Sequence, residues 1–143
     1  MRKGFDFTGV SVVAICHDGQ GNYLLEHRSE NCRDEQLTWS PVGSGGLKPH
    51  ESLEDGIRRE IKEECGAEAK EISLLGHREV FREINGEPYH WIAFDFLVLV
   101  DPAKTKIMEP DKALEHRWFK LEDFPKPLHS QFPIFLNNYK GRL

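Results

Sequence analysis

The sequence predicts an α/β (α+β) domain, a mixed β-sheet sandwiched between helices, and three observations predict it. Apolar, β-branched runs of strand length recur along the chain, a strongly patterned helix interrupts them near the middle, and a second helical stretch comes only close to the end. Neither an internal repeat nor a low-complexity linker breaks the chain, so residues 1–143 read as one domain.

Residues 10–16 form a near-continuous apolar run, and the cluster Asp18-Gly19-Gln20-Gly21-Asn22 then calls for a turn. Residues 23–28 read as the returning strand of a hairpin, and residues 29–38 as irregular. Trp39 introduces the glycine-rich stretch Pro41-Val42-Gly43-Ser44-Gly45-Gly46. In the helix that follows, Ser52 stands where an N-cap belongs, with Asp55 three residues on. Leu53, Ile57, Ile61 and Cys65 repeat every fourth residue as an apolar stripe, and Gly66 occupies the C-cap position. Gly56 weakens this helix by about 0.5–1 kcal/mol relative to alanine, which predicts close packing against a neighbour at that point. Residues 71–84 and 89–100 are two longer strands joined through Asn85-Gly86, a strong hairpin signal. A short strand is expected at 117–120. A closing helix is expected at 130–139, with Pro133 in its first turn.

Composition narrows the function classes. Hydrophobic residues make up 38% and charged residues 30% of the chain, which suits a packed core and excludes a disordered polymer. Cys16, Cys32 and Cys65 are odd in number and widely spaced, as expected of reduced thiols. The start, Met1-Arg2-Lys3-Gly4-Phe5-Asp6, lacks the apolar core of a signal peptide, and no apolar run reaches membrane-spanning length. The expectation is a cytoplasmic protein without a membrane partner. A net charge of −5 offers no basic footprint for duplex nucleic acid. Residues 51–66 hold six acids against three bases, a local charge of −3. A protein handling phosphates with such a segment needs a cation between its carboxylates and theirs.

Glu60, Glu63 and Glu64 fall within about 100° on a helical wheel, beside the apolar stripe. Like charges three and four apart destabilise a helix by about 0.2–0.5 kcal/mol per pair. A hard divalent cation would turn that repulsion into coordination, and an oxygen-only donor set favours Mg²⁺, with Mn²⁺ as the other choice. The bland alternative is a solvated acidic face relieved by Arg58, Arg59 and Lys62.

From Gly45 to Ala67 the sequence resembles the Nudix box, G-x5-E-x7-R-E-U-x-E-E-x-G-U, with U a bulky aliphatic residue. Gly45, Glu51, Arg59, Glu60, Glu63, Glu64 and Gly66 meet every fixed position, and Ile61 the first U. Ala67 is small for the second U, and His50 replaces the glycine common before the first glutamate. Residues 115–125, with Glu115, Trp118, Phe119, Leu121 and Pro125, resemble the family's closing region.

The resemblance implies hydrolysis of a nucleoside diphosphate linked to a group X, releasing a nucleoside monophosphate. Glu60 and Glu64 match the family's main metal ligands, and Glu63 a further ligand or the general base. Arg59 and Glu51 match a pair that orients the cluster. The backbone carbonyl of Ser44 or Gly45 is a candidate extra ligand. Arg28 resembles a phosphate-contacting arginine, and Glu115 a late metal-binding or water-activating glutamate. Trp39, Tyr89, Trp91 and Trp118 are candidates to stack on a base, at about 1–3 kcal/mol each. The resemblance to MutT-type members makes a nucleoside triphosphate the first expectation. ADP-ribose or another nucleoside diphosphate sugar is the alternative, although Arg82 and Glu83 stand where those members usually carry proline. An isomerase of the same fold would need cysteine and histidine where Ser44 and Gly46 stand. A non-catalytic nucleotide sensor would typically have lost box glutamates that this chain retains. The partner is then a small nucleotide, and a homodimer is compatible with the family.

Overall fold

A computed structural model describes all of residues 1–143. The strands are β1 (Gly9–His17), β2 (Asn22–Arg28), β3 (Trp39–Pro41), β4 (Ser44–Gly46), β5 (Glu71–Ile84), β6 (Glu87–Leu99) and β7 (Ala113–Lys120). The helices are α1 (Leu53–Cys65) and α2 (Phe132–Tyr139). All seven strands join one mixed sheet whose main path runs β3-β2-β1-β6-β5, with β4 on β1 and β7 on β2. β1 and β6 are parallel over nine residue pairs, from Gly9↔Trp91 to His17↔Leu99, and the remaining pairings are antiparallel.

Alternation along β1 divides the interior. Val12, Ala14 and Cys16 face one core, shared with Ile57, Ile61 and Cys65 of α1. Ile15 faces a second core, shared with Phe132, Phe135 and Tyr139 of α2. The helices therefore cover opposite faces of the sheet, as the sequence predicted. All three cysteines are buried free thiols, and no helix is long and apolar enough to cross a membrane.

Helix α1 follows its sequence signals closely. Ser52 Oγ accepts from Asp55 N at 3.1 Å, and Gly66 closes the helix at φ 70°. A Cβ on Gly56 would stand 2.8 Å from Leu47 Cδ1, which explains the glycine inside the helix. The Asn85-Gly86 turn has φ of 51° and 80°, the positive pair that a two-residue hairpin requires. Three boundaries differ from expectation by two residues or more. β6 begins at Glu87, α2 at Phe132, and β7 at Ala113, because pairing with β2 holds residues 113–116 in extended form.

The opening hairpin also differs. β1 and β2 pair only at His17↔Tyr23 and then splay apart. β4 takes up the freed edge of β1, while β3 and β7 take up the two edges of β2. This splay positions the site, since the end of β3 and all of β4 belong to the glycine-rich stretch.

Candidate active site

A cleft of about 350 Å³ crosses the sheet from the glycine-rich strand to the outer strand β5. Ser44, Gly45 and Glu64 stand at one end, Arg78, Val80 and Arg82 at the other. The acidic end is built on α1. Leu53, Ile57 and Ile61 anchor the helix to the sheet, so Glu60 and Glu64, on the flank of that stripe, are carried inward. Glu60 is buried, and its carboxylate lies on the backbone of β4. A Cβ on Gly45 would overlap Glu60 Oε1 at 2.3 Å, so a larger residue there would push that carboxylate out of its place.

Arg59 ties the cluster together. Its Nε and Nη2 donate to the two oxygens of Glu51 at 2.7 and 2.8 Å, a two-pronged pair eight residues apart. Nη2 also donates to the carbonyl of Gly46, and Nη1 to Glu60 Oε1 at 2.7 Å and Glu63 Oε2 at 3.3 Å. The Arg59 guanidinium holds the Glu51 carboxyl down at about 2, helped by the Lys48 amide. His50, just before Glu51, has φ 62°, the left-handed backbone for which glycine is the easier residue.

Glu64 has a different environment. Its Oε2 accepts from the Ser44 amide at 2.8 Å, but it forms no ion pair within the chain. Burial raises its pKa well above the usual carboxylate range, and the nearby charges of Glu26 and Glu60 raise it further. Burial likewise raises that of Glu60, against the lowering effect of Arg59. Three carboxyl groups thus meet where their charges oppose one another. No three side chains converge on one point at ligand distance, because Glu60 and Glu63 are both turned onto Arg59. The donor set is nevertheless oxygen only and short of positive charge, which suits a hard divalent cation.

The far end of the cleft is cationic. Arg28 Nη2 donates to the carbonyl and to Oδ1 of Asp34, each at 3.0 Å, and Arg82 Nη1 to Asp34 Oδ2 at 3.2 Å. One acid between two guanidiniums leaves net positive charge facing the acidic end.

With that arrangement in view, likeness to known proteins becomes informative. The NUDIX domain family profile matches residues 7–138. The chain belongs to the Nudix hydrolase family. A MutT Nudix hydrolase from Burkholderia pseudomallei has the same fold, with TM-score 0.81 and 28% identity, covering 93% of this chain and 98% of that one. The mouse (Mus musculus) 8-oxo-dGDP phosphatase NUDT18 is 26% identical over 128 residues, which is 87% of this chain and 36% of that protein. The chain therefore spans about a third of the length of that relative. The Nudix domain of NrtR from Shewanella oneidensis, in a complex with ADP ribose, has TM-score 0.75 at 19% identity, covering 96% of this chain and 90% of that one. That last likeness is one of fold.

Helix spacing put Glu60, Glu63 and Glu64 on one face and the resemblance added Glu51 and Arg59; the structure places Arg59 between Glu51, Glu60 and Glu63 with Glu64 beside Ser44, and the cleft adds Arg28, Ser44 and Tyr89. Three candidates are not brought there. Trp39 is buried in the second core, stacked on His27 at 4.5 Å and edge-on to Phe119, because strand alternation turns its ring inward. Glu115 sits on β7 opposite His27 and accepts from Arg117 at 2.6 Å, so β2 separates it from the box. Trp118 packs against the first core, whereas Trp91 does line the cleft. Nothing in the sequence marked Glu26, which the β1–β2 splay brings within charge reach of Glu64 while His116 Nε2 lies 3.1 Å from its Oε1. Arg78 and Arg82 also went unmarked.

Proposed function

We propose that this Nudix hydrolase cleaves the phosphoanhydride of a nucleoside diphosphate linked to X. Its best substrates are nucleoside triphosphates, released as monophosphate and pyrophosphate. One observation carries the reading: a carboxylate cluster on the box helix, left with a single arginine and with Glu64 unpaired, faces Arg28 and Arg82 across a cleft of nucleotide dimensions. The name of the mouse relative points to a purine nucleoside diphosphate, which contains the same kind of bond.

Glu60 and Glu64, with Glu63 at the rim, would hold Mg²⁺ or Mn²⁺. Such an ion neutralises phosphate oxygens and lowers the pKa of water. The chain's own groups do the rest. Arg28 and Arg82 attract the polyphosphate and fix its direction. Glu51 immobilises Arg59, which in turn sets the rotamers of Glu60 and Glu63. The Ser44 amide holds one Glu64 oxygen, leaving the other free. Glu63 has the most exposed carboxylate of the three, its side chain 53% accessible, and takes the proton of the attacking water.

The test is a screen of the purified protein with Mg²⁺ against nucleoside triphosphates and diphosphates, ADP-ribose and dinucleoside polyphosphates, with products separated by chromatography. Triphosphates should lead. ADP-ribose turnover above every triphosphate would move X to a sugar phosphate, and turnover of none of them would end the hydrolase reading.

A further inference from the structure

Four carboxylates stand at the acidic end of the cleft, and they fall into two pairs. Glu60 and Glu63 are turned onto Arg59. Glu64 and Glu26 reach no guanidinium, and both line the cleft. Glu26 comes from the sheet rather than from the box helix, and register sets its place. On β2 it stands opposite Ser40 of β3 on one side and His116 of β7 on the other, so the three side chains share one face of the sheet. From Ser40 the chain runs directly to Ser44, whose amide holds Glu64 Oε2.

Glu26 is 8% exposed, and His116 Nε2 lies 3.1 Å from its Oε1. An ionised carboxylate has no proton to give, so the imidazole N–H is the donor. That is the only hydrogen bond of the ring, since Nδ1 has no partner. Glu26 Oε2 accepts from no group of the chain, yet it is not sealed in the interior and keeps surface on the cleft. Buried carboxylates are ordinarily matched by several donors, as Asp95 is by Arg78 and the Tyr139 hydroxyl. Glu26 has one, and its charge acts on another carboxylate, Glu64. Left so, the two would repel each other and any polyphosphate brought beside them.

We infer that Glu26 is a further ligand of the divalent cation, which is bound between it and Glu64. This rests on the reading of the cleft as a metal-dependent nucleotide site. His116 is a positioning residue: it holds one oxygen of Glu26 and leaves the other free for the ion. Both carboxylates are hard oxygen donors, as Mg²⁺ and Mn²⁺ require, and the ligand from β2 is one that the box itself does not encode.

The test measures binding of Mn²⁺ alone, without nucleotide, from the loss of the free-ion EPR signal, beside urea unfolding in chelator. Glu26→Gln keeps the shape of the side chain and an acceptor for His116. It should weaken Mn²⁺ binding about tenfold or more, no less than the loss of a supporting partner does, with a midpoint in chelator no lower than that of the wild type. His116→Leu should weaken binding about tenfold to a hundredfold, and His116→Gln, which keeps a donor, should recover part of that loss. Wild-type affinity in Glu26→Gln overturns the assignment and leaves Glu26 as a structural partner of His116, a role that a fallen midpoint in chelator would mark. Glu64→Gln is the control. Weaker binding there with none in Glu26→Gln overturns only the assignment, and failure of the wild type to bind Mn²⁺ overturns the metal reading with it. Glu26-dependent binding without hydrolysis of any nucleotide in the screen overturns the hydrolase reading alone.

Discussion

Two desolvated carboxylates, Glu64 in the lining of the cleft and Asp95 behind the Arg78 that lines it, are treated in opposite ways. Asp95 accepts three hydrogen bonds, two from a guanidinium, so its charge is matched where it stands. Glu64 has only backbone groups of the glycine-rich stretch to accept from and two carboxylate neighbours, and burial pushes its pKa up. A charge taken from water without a counter-charge opposes folding. The difference separates a group that holds the fold together from one whose partner must come from outside the chain.

The sharpest way to break the contrast is at Asp95. Asp95→Leu leaves the Arg78 charge buried alone and should destabilise the protein by about 3–5 kcal/mol, read as the midpoint of urea unfolding. Arg78→Leu with Asp95→Leu removes both charges and should recover much of that loss. A double variant no more stable than the single one would show that the pair does not act as a unit.

Glu64→Gln should have the reverse effects. Turnover falls by on the order of a hundredfold or more, the scale of losing one preorganised charge-stabilising group, while the fold survives. Its stability sign follows from linkage. The folded-state pKa of Glu64 lies above its unfolded value of about 4.3, so ionisation removes stability as pH rises from that value through the folded one. Glutamine cannot ionise. Chelator-treated Glu64→Gln should therefore match the wild type near pH 4 and exceed it at pH 7. Saturating Mg²⁺ should raise the Tm of the wild type more than that of the variant. Equal shifts would remove Glu64 from the ligand set.

Next in size is Glu51→Gln. It withdraws the group that holds Arg59, and loss of such a supporting partner reduces activity or metal affinity by about 10–100-fold. Because Arg59 holds the Glu51 carboxyl down at about 2, the substitution should also lower the urea midpoint at neutral pH and lose that effect as pH falls below the unfolded carboxyl range, while kcat falls. An unchanged kcat would mean that Arg59 keeps its place through the Gly46 carbonyl and Glu60 alone.

The acidic end of the cleft was legible in the sequence and the far end was not, for a physical reason. Helix α1 carries cap signals and an apolar stripe, and these fix which carboxylates turn inward. Strand β5 carries alternation without a label for its faces. His77, Glu79 and Phe81 share one side, Arg78, Val80 and Arg82 the other, and hydropathy favours burying the side with phenylalanine. The structure does the opposite: Phe81 is 68% exposed and Arg78 is 8% exposed. A register shift between Leu74 and Gly76, where Gly76 lies close under the Tyr139 ring, sets the facing of the strand beyond it. The partner that makes an inward arginine tolerable, Asp95, is seventeen residues away on β6. Trp39 misled for a related reason: an aromatic next to a glycine-rich loop reads the same whether it faces ligand or core. Glu26 needed the splay of β1 from β2, which no local pattern announces.

The smallest effect should come from His129, which lines the cleft near Arg28 and Arg82. Burial lowers its pKa, and Arg28 and Arg82 act in the same direction against the pull of Glu35 and Asp34. Its Nδ1 accepts from the Gln131 amide at 3.1 Å, a bond that a proton on that nitrogen would abolish. A histidine with a folded-state pKa below its unfolded value of about 6.5 binds its proton more readily when unfolded. Stability is therefore intact above about pH 6.5 and declines as pH falls from there through the folded value. His129→Gln should flatten that shallow slope in urea midpoints measured between pH 7 and pH 5. It should also leave the Mg²⁺-dependent Tm shift in place, because the imidazole belongs to the cationic end of the cleft. A variant that kept the wild-type slope would assign this acid sensitivity to His17, whose pKa burial also lowers, at the point where β1 and β2 still touch.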